Sequence, residues 1–152
     1  MNSKDDIREL CYLYTFLLDD GDFGGVGALL AHATLRPTMP GVAGVDITGE
    51  AAIAAFYAEQ VVTYSRGRPM TRHLVTNQII TVSSEGETAS SRSYFTVLQR
   101  APGYDFHIVV GGQYQDAFEC IRGEWRFTRK DIQVDHLNDI ENHFRISPDR
   151  SR

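Results

Sequence analysis

Residues 71–100 read TRHLVTNQIITVSSEGETASSRSYFTVLQR, and this stretch decides the fold. Two runs rich in Thr, Val, Ile and aromatic residues, Thr71 to Ser83 and Ala89 to Arg100, flank the turn Ser84-Glu85-Gly86. Runs of this composition predict strands. So short a connection favours antiparallel pairing, because parallel neighbours need a crossover of about a dozen residues. The pattern repeats downstream in Phe106 to Ile121 and Trp125 to Val134, set off by Ala101-Pro102-Gly103 and Arg122-Gly123-Glu124. Four long strands in succession predict an antiparallel meander. Strands of that length do not stay flat, and Gly111-Gly112 marks a bend or bulge.

Upstream the period changes. Ile7, Leu10, Cys11, Tyr14 and Leu18 recur at three- and four-residue spacing and predict a helix from Lys4 to Leu18. Ser3 is its expected cap, with Asp5 and Asp6 in the first turn. Asp22 is the expected cap of a second helix, Phe23 to Ala31, weakened by three glycines. Residues 34–47, with Pro37, Pro40, Gly41 and Gly44, read as a short strand and an irregular loop. Thr48 then reads as the cap of a third helix that carries Ile53, Phe56, Tyr57, Gln60, Val61 and Tyr64 and ends near Ser65. Helices first and a sheet afterwards is the α+β layout: three N-terminal helices packed on a strongly curved, mainly antiparallel sheet with a cone-shaped interior.

The chain has 152 residues, 42% of them hydrophobic, and a formal charge of −5. That length predicts one domain over 1–152, with 135–152 a tail that extends the last strand, crosses a subunit interface or frays. An acidic chain gives no footprint for phosphate, which argues against nucleic acid. The start, MNSKDDIREL, lacks an apolar signal core, and no stretch has the roughly 20 apolar residues of a membrane span. Cys11 and Cys120 are expected to be free, packed thiols, and the location cytoplasmic.

Candidate chemistry starts on the first long strand. Side chains alternate across a strand, which puts His73, Val75, Asn77, Ile79 and Thr81 on one face. If that face is concave, an imidazole and a carboxamide share an apolar cup. His73 is then the strongest base candidate, against the plainer reading of a satisfied core histidine. Asp19, Asp20 and Asp22 cluster after the first helix as a solvated turn, unless Asp19 turns inward to a buried partner such as His73. Tyr14 lies on the buried stripe, where its hydroxyl needs a partner. Arg129 and Lys130 occupy opposite faces of the last long strand, so only one of them points inward. The five histidines are scattered without tight zinc spacing, Gly24-Gly25-Val26-Gly27 is no dinucleotide fingerprint, and there is no GxSxG. Neither a metal nor a cofactor is expected.

The order of these features resembles the nuclear-transport-factor-2-like superfamily. Within it the chain looks like the SnoaL-like branch that holds scytalone dehydratase, bile-acid 7α-dehydratase and lindane dehydrochlorinase. The resemblance rests on IRELCYLYTFLLDDGDF at 7–23, ITGEAAIAAFY at 47–57, TRHLVTN at 71–77, GGQYQDAFE at 111–119 and GEWRFTRKDI at 123–132. It implies a deep pocket, a homodimer or homotrimer, and an Asp–His pair at Asp19 and His73. It further implies a tyrosine five residues before the aspartate, at Tyr14, and a basic residue near the end of the last strand. By register from Trp125 that residue is Lys130. Scytalone dehydratase uses a second histidine on the next strand, where Tyr94 is the nearest polar aromatic. Phe56, Tyr57, Asn77 and Tyr94 are the expected substrate contacts. The implied function is a cofactor-independent lyase, a dehydratase acting on a small hydroxylated alicyclic, steroidal or polyketide-like compound. The alternatives are an isomerase using the same pocket and a non-catalytic binding or assembly subunit.

Overall fold

The computed structural model describes residues 2–145. Helix α1 spans Ser3–Asp20 and α2 spans Phe23–Leu29. Strands β1 (Thr34–Thr38) and β2 (Ile47–Thr48) precede helix α3 (Glu50–Gln60). The meander follows as β3 (Thr71–Val82), β4 (Thr88–Gln99), β5 (His107–Ile121) and β6 (Glu124–Leu137). The six strands form one sheet in the order β2-β1-β6-β5-β4-β3. Every pairing is antiparallel except β1 with β6, which the helical excursion before the meander permits. Three helices on this mostly antiparallel sheet give the expected α+β architecture.

The helix ends differ from expectation in ways that matter for the site. Asn2, not Ser3, caps α1: its side chain accepts from the Lys4 amide, and Ser3 is already helical. The helix runs past Leu18 to Asp20 because Gly21, at φ 74°, supplies the left-handed C-terminal cap. Asp19 is therefore in the last helical turn and not in a solvated loop. Gly49, not Thr48, starts α3, which is shorter than expected and ends at Gln60.

α1 buries Ile7, Cys11, Tyr14 and Leu18 on the concave face of the sheet, against β3 and β6. α2 buries Val26 and packs against α3, which buries Ile53 and Tyr57. Each large side chain taken fully out of water stabilises the fold by about 1.5–3 kcal/mol, enough to hold the glycine-rich α2. Among the described residues the ladders shift register at four places, two of which bear on the site. The β5–β6 register shifts between Gly111 and Gly112, where a Cβ on Gly112 would run into the Gln133 carbonyl and the Phe95 ring. The β3–β4 register shifts between Thr76 and Ile79, with Asn77 at φ 54°.

That second bulge overturns part of the expected face. An extra residue in one strand reverses the in–out alternation beyond it. His73 and Val75 face the helices, but after the bulge Gln78 and Ile80 take the inward positions, while Ile79 is 53% exposed. Asn77 is exposed as well, on the outer side of the sheet, so it does not belong to the cup. Tyr94, 55% exposed, flanks it there and is likewise excluded from the interior. Both are corrections to the expected substrate contacts.

Beyond Val134 the chain continues as β6 to Leu137, then turns through Ile140–Asn142 so that His143 and Phe144 pack back on the fold. Residues 135–145 are thus built into the domain, and 146–152 lie outside the described residues. Cys11 is buried, Cys120 half-buried, and both are free. Among the described residues, no helix is long and apolar enough to cross a membrane.

Candidate active site

Asp19 and His73 meet inside the sheet. The last turn of α1 aims the carboxylate at the start of β3, where three donors converge on it. The Thr71 hydroxyl donates to Oδ1 at 2.8 Å, the His73 backbone amide to Oδ2 at 2.9 Å, and His73 Nδ1 lies 2.6 Å from Oδ1. Burial pushes the Asp19 carboxyl up, but the His73 ring, the His73 amide and the Thr71 hydroxyl together hold it below the ordinary value. An ionised Asp19 fixes the proton on Nδ1 and leaves Nε2 as the free, basic nitrogen. Thr71 escaped the sequence reading, although its spacing of two from His73 puts it on the same face.

His73 opens into a cavity of about 50 Å³ whose lining includes Tyr14, Tyr57, Phe95, Tyr114, His143 and Phe144. A chamber of about 220 Å³ adjoins it, walled by the Pro37–Ile47 loop, Phe56 and Gln60. Tyr57, Ile132, Val134 and Phe144 line both spaces. Phe56 therefore belongs to the outer chamber and Tyr57 to both.

The Tyr14 and Tyr57 hydroxyls are 2.7 Å apart. One donates to the other, which leaves a second phenolic proton for a ligand. Burial raises both phenols above their ordinary value, and their mutual charge repulsion adds to the Tyr14 shift. They are therefore neutral donors and weak acids.

Lys130, not Arg129, points inward, and it is wholly buried. Its ammonium lies 3.1 Å from Asp116 Oδ1, on the neighbouring strand at the paired register position. It also sits 4.2 Å from the Tyr14 ring centre and 3.8 Å from that of Tyr114. The lysine does not line the cavity. It is neutralised behind the tyrosine rings, so the expected catalytic position of Lys130 becomes a support beneath Tyr14. Arg129 stays at the surface with Asp131 and Asp46. His143 is the residue that the sequence reading passed over, placed as it was in a polar tail without periodicity. Its ring centre is 6.4 Å from that of His73. Among the described residues, no three His, Cys, Asp or Glu side chains gather as a metal site.

A family profile for the SnoaL-like domain matches residues 1–131. The chain belongs to this family. SnoaL-like domains are part of the NTF2-like superfamily, and solved structures agree with that placement. An NTF2-like protein with a cystatin-like fold from Novosphingobium aromaticivorans superposes with a TM-score of 0.67 at 23% identity, over 90% of this chain and 84% of that one. A protein described as a candidate scytalone dehydratase from the same organism gives 0.66 at 23% identity, over 90% and 86%. The β subunit of a candidate aromatic-ring-hydroxylating dioxygenase, also from that organism, gives 0.67 at 18% identity, over 88% and 90%. At these identities the likeness is one of fold. No curated protein matches the sequence. The interior of this SnoaL-like domain holds a carboxylate–imidazole pair, a tyrosine pair and a second imidazole around one small cavity.

Proposed function

We propose that the protein is a cofactor-independent lyase of the dehydratase type, acting on a small hydroxylated ring compound. The Asp19–His73 contact beside a mostly apolar cavity carries this reading. His73 Nε2 removes a proton from carbon next to a carbonyl, and ionised Asp19 stabilises the imidazolium that forms. The Tyr14–Tyr57 pair donates a hydrogen bond to the oxygen on which negative charge builds. Weak acids serve there as neutral donors, so the imidazolium, and not a tyrosine, delivers its proton to the departing hydroxyl. The carbon–oxygen bond breaks as the carbon–carbon double bond forms, and water leaves.

The cavity sizes narrow the substrate. Pockets for drug-sized ligands span about 300–1,000 Å³. An inner space of about 50 Å³ that shares four lining residues with one of about 220 Å³ favours one or two rings over a steroid. Outside, Leu74, Tyr94 and Ile108 are exposed apolar side chains on β3, β4 and β5, which supports association of this face with a second copy in a homodimer or homotrimer.

The test is 3-hydroxy-1-tetralone, whose loss of water yields 1-naphthol. Mass spectrometry is expected to show that product with the protein and not with His73→Ala. In D₂O, deuterium gained at C2 without loss of water favours proton-returning isomerase chemistry instead, and equal turnover by His73→Ala removes the assigned base.

A further inference from the structure

The chamber of about 220 Å³ beside the His73 cavity takes its walls from four separate segments. The connection between β1 and β2 supplies Met39, Val42 and Val45, α3 supplies Phe56, β6 supplies Ile132, and Phe144 comes from the segment after β6. Among the described residues, no charged side chain lines it. Val45, 66% exposed, marks its mouth.

The β1–β2 connection is a built wall. Met39-Pro40-Gly41-Val42 forms a tight turn, closed by the Val42 amide on the Met39 carbonyl at 3.0 Å. Proline at the second position and Gly41, at φ 79°, at the third suit a type II turn. At the base, Arg36 Nη1 donates to Asp46 Oδ1 at 2.9 Å. Between turn and base, Gly44 lies so close to β1 that a Cβ there would come within 2.7 Å of Thr38 Oγ1. Turn, ion pair and close approach fix the outline of the chamber before any ligand enters.

Protein interiors leave few voids larger than a water molecule. An apolar cavity of about 150 Å³ stays dry and admits benzene, so a chamber of about 220 Å³ has room for one ring or a short alkyl chain. The uncharged wall rejects a carboxylate, phosphate or ammonium, because burying a charge without a partner is costly.

We propose that this chamber binds an uncharged, apolar substituent of the substrate, with Met39, Val42 and Phe56 limiting its size. Tyr57, Ile132, Val134 and Phe144 also line the His73 cavity, which places the substituent beside the reacting end of the same molecule. That placement rests on the Asp19–His73 reading, whereas the affinity for an apolar group does not. The substrate is then a ring compound with its oxygen functions at one end and an apolar arm at the other.

The experiment uses cyclohexanone and its 4-methyl, 4-propyl and 4-pentyl derivatives, which keep the carbonyl end constant and vary the far end. The charged control is 4-oxocyclohexanecarboxylate. Affinities are measured by calorimetry, and the Met39 methyl group is followed by NMR in protein labelled at methionine. Affinity is expected to rise along the alkyl series by about fourfold for each methylene buried. The Met39 signal is expected to shift with the pentyl compound and not with cyclohexanone, and the carboxylate to bind no better than cyclohexanone. Val42→Trp fills the chamber and is expected to lose about tenfold or more for the pentyl compound, with cyclohexanone changed less than about twofold. Val42→Asp puts a charge on the same wall and is expected to act alike, with circular dichroism checking that both variants fold. A flat alkyl series, an unmoved Met39 signal, or equal losses for cyclohexanone and the pentyl compound in both variants would overturn the proposal. Two molecules of the pentyl compound bound per chain would also overturn it, since the chamber would then hold a separate ligand. Exchange of the C2 protons of cyclohexanone with D₂O tests His73 separately. Absent exchange with a rising alkyl series supports the chamber and refutes the base, and exchange with a flat series does the reverse.

Discussion

The Asp19 carboxylate grips His73 at two points, the ring Nδ1 at 2.6 Å and the backbone amide at 2.9 Å. Side chain and strand are thereby oriented together, so Nε2 is aimed by the same contact that fixes the ring's tautomer. His73→Ala is expected to lower turnover of 3-hydroxy-1-tetralone by about 10²–10⁴-fold, the usual share of a general base. Asp19→Asn is expected to cost about 10- to 100-fold through loss of tautomer and orientation. Steady-state kinetics with circular dichroism checks both; unaltered kinetics in either contradicts the assignment.

The buried pair of Lys130 and Asp116 is expected to behave as structure and not as chemistry. Lys130→Met strands a carboxylate among the tyrosine rings and costs about 3–5 kcal/mol, whereas Lys130→Met with Asp116→Leu recovers most of that loss. Urea midpoints for the single and double variants measure it. A stable single variant would show that the pair is not coupled.

How much of this was legible beforehand depends on period and punctuation. The four long strands and α1 follow from side-chain periodicity and short turns, and the inward Asp19–His73 pair follows from the resemblance that those elements carry. The outer position of Asn77 was not legible, because a single bulged residue at 77 reverses the alternation without any glycine to announce it. Tyr94 faces outward by the regular alternation of β4, whose buried side chains include Ser91, Ser93, Phe95 and Val97. Lys130 points inward as its register implied, yet its partner Asp116 comes from another strand, and pairing across strands has no local signature. His143 was invisible for a related reason: a non-periodic segment enters the core through main-chain bonds to α3 and the loop after it.

Titration of His143 gives the fold a distinct acid sensitivity. The folded ring is pushed down to about 3 by burial and then by His73, while Asp19 pulls the other way. Between that value and about 6.5 the unfolded chain binds a proton that the folded chain refuses, so stability falls as pH falls. The slope from this group is about 1.4 kcal/mol per pH unit within that window. Asp19, held below its ordinary value, contributes in the same direction only below about pH 4. Chemical denaturation from pH 7 to 4.5 is expected to show the slope in the natural protein and its loss in His143→Asn. Identical slopes would refute it.

Two adjacent glycines are expected to differ sharply. An alanine Cβ at 111 meets only the His136 side chain at 3.8 Å, whereas at 112 it collides with the Gln133 carbonyl and Phe95. Gly111→Ala is expected to be near neutral and Gly112→Ala to cost about 2 kcal/mol or more. Thermal unfolding compares them; equal midpoints would contradict the role assigned to Gly112 in bending the sheet.

Exposed Tyr94 offers a control for the revised site. Tyr94→Glu is expected to leave turnover within about twofold and to weaken self-association, since it places charge on an exposed apolar face. Kinetics and light scattering read the two effects, and a large loss of turnover in a well-folded variant would return Tyr94 to the substrate.

The most direct test of proton removal by His73 needs no natural substrate. Exchange of the C2 protons of 1-tetralone with D₂O at neutral pD can be followed by proton NMR. The protein is expected to accelerate exchange well above buffer, Asp19→Asn to retain a small part of it, and His73→Ala to fall to the buffer rate. Exchange at the buffer rate with the natural protein, or full acceleration by His73→Ala, would contradict the account.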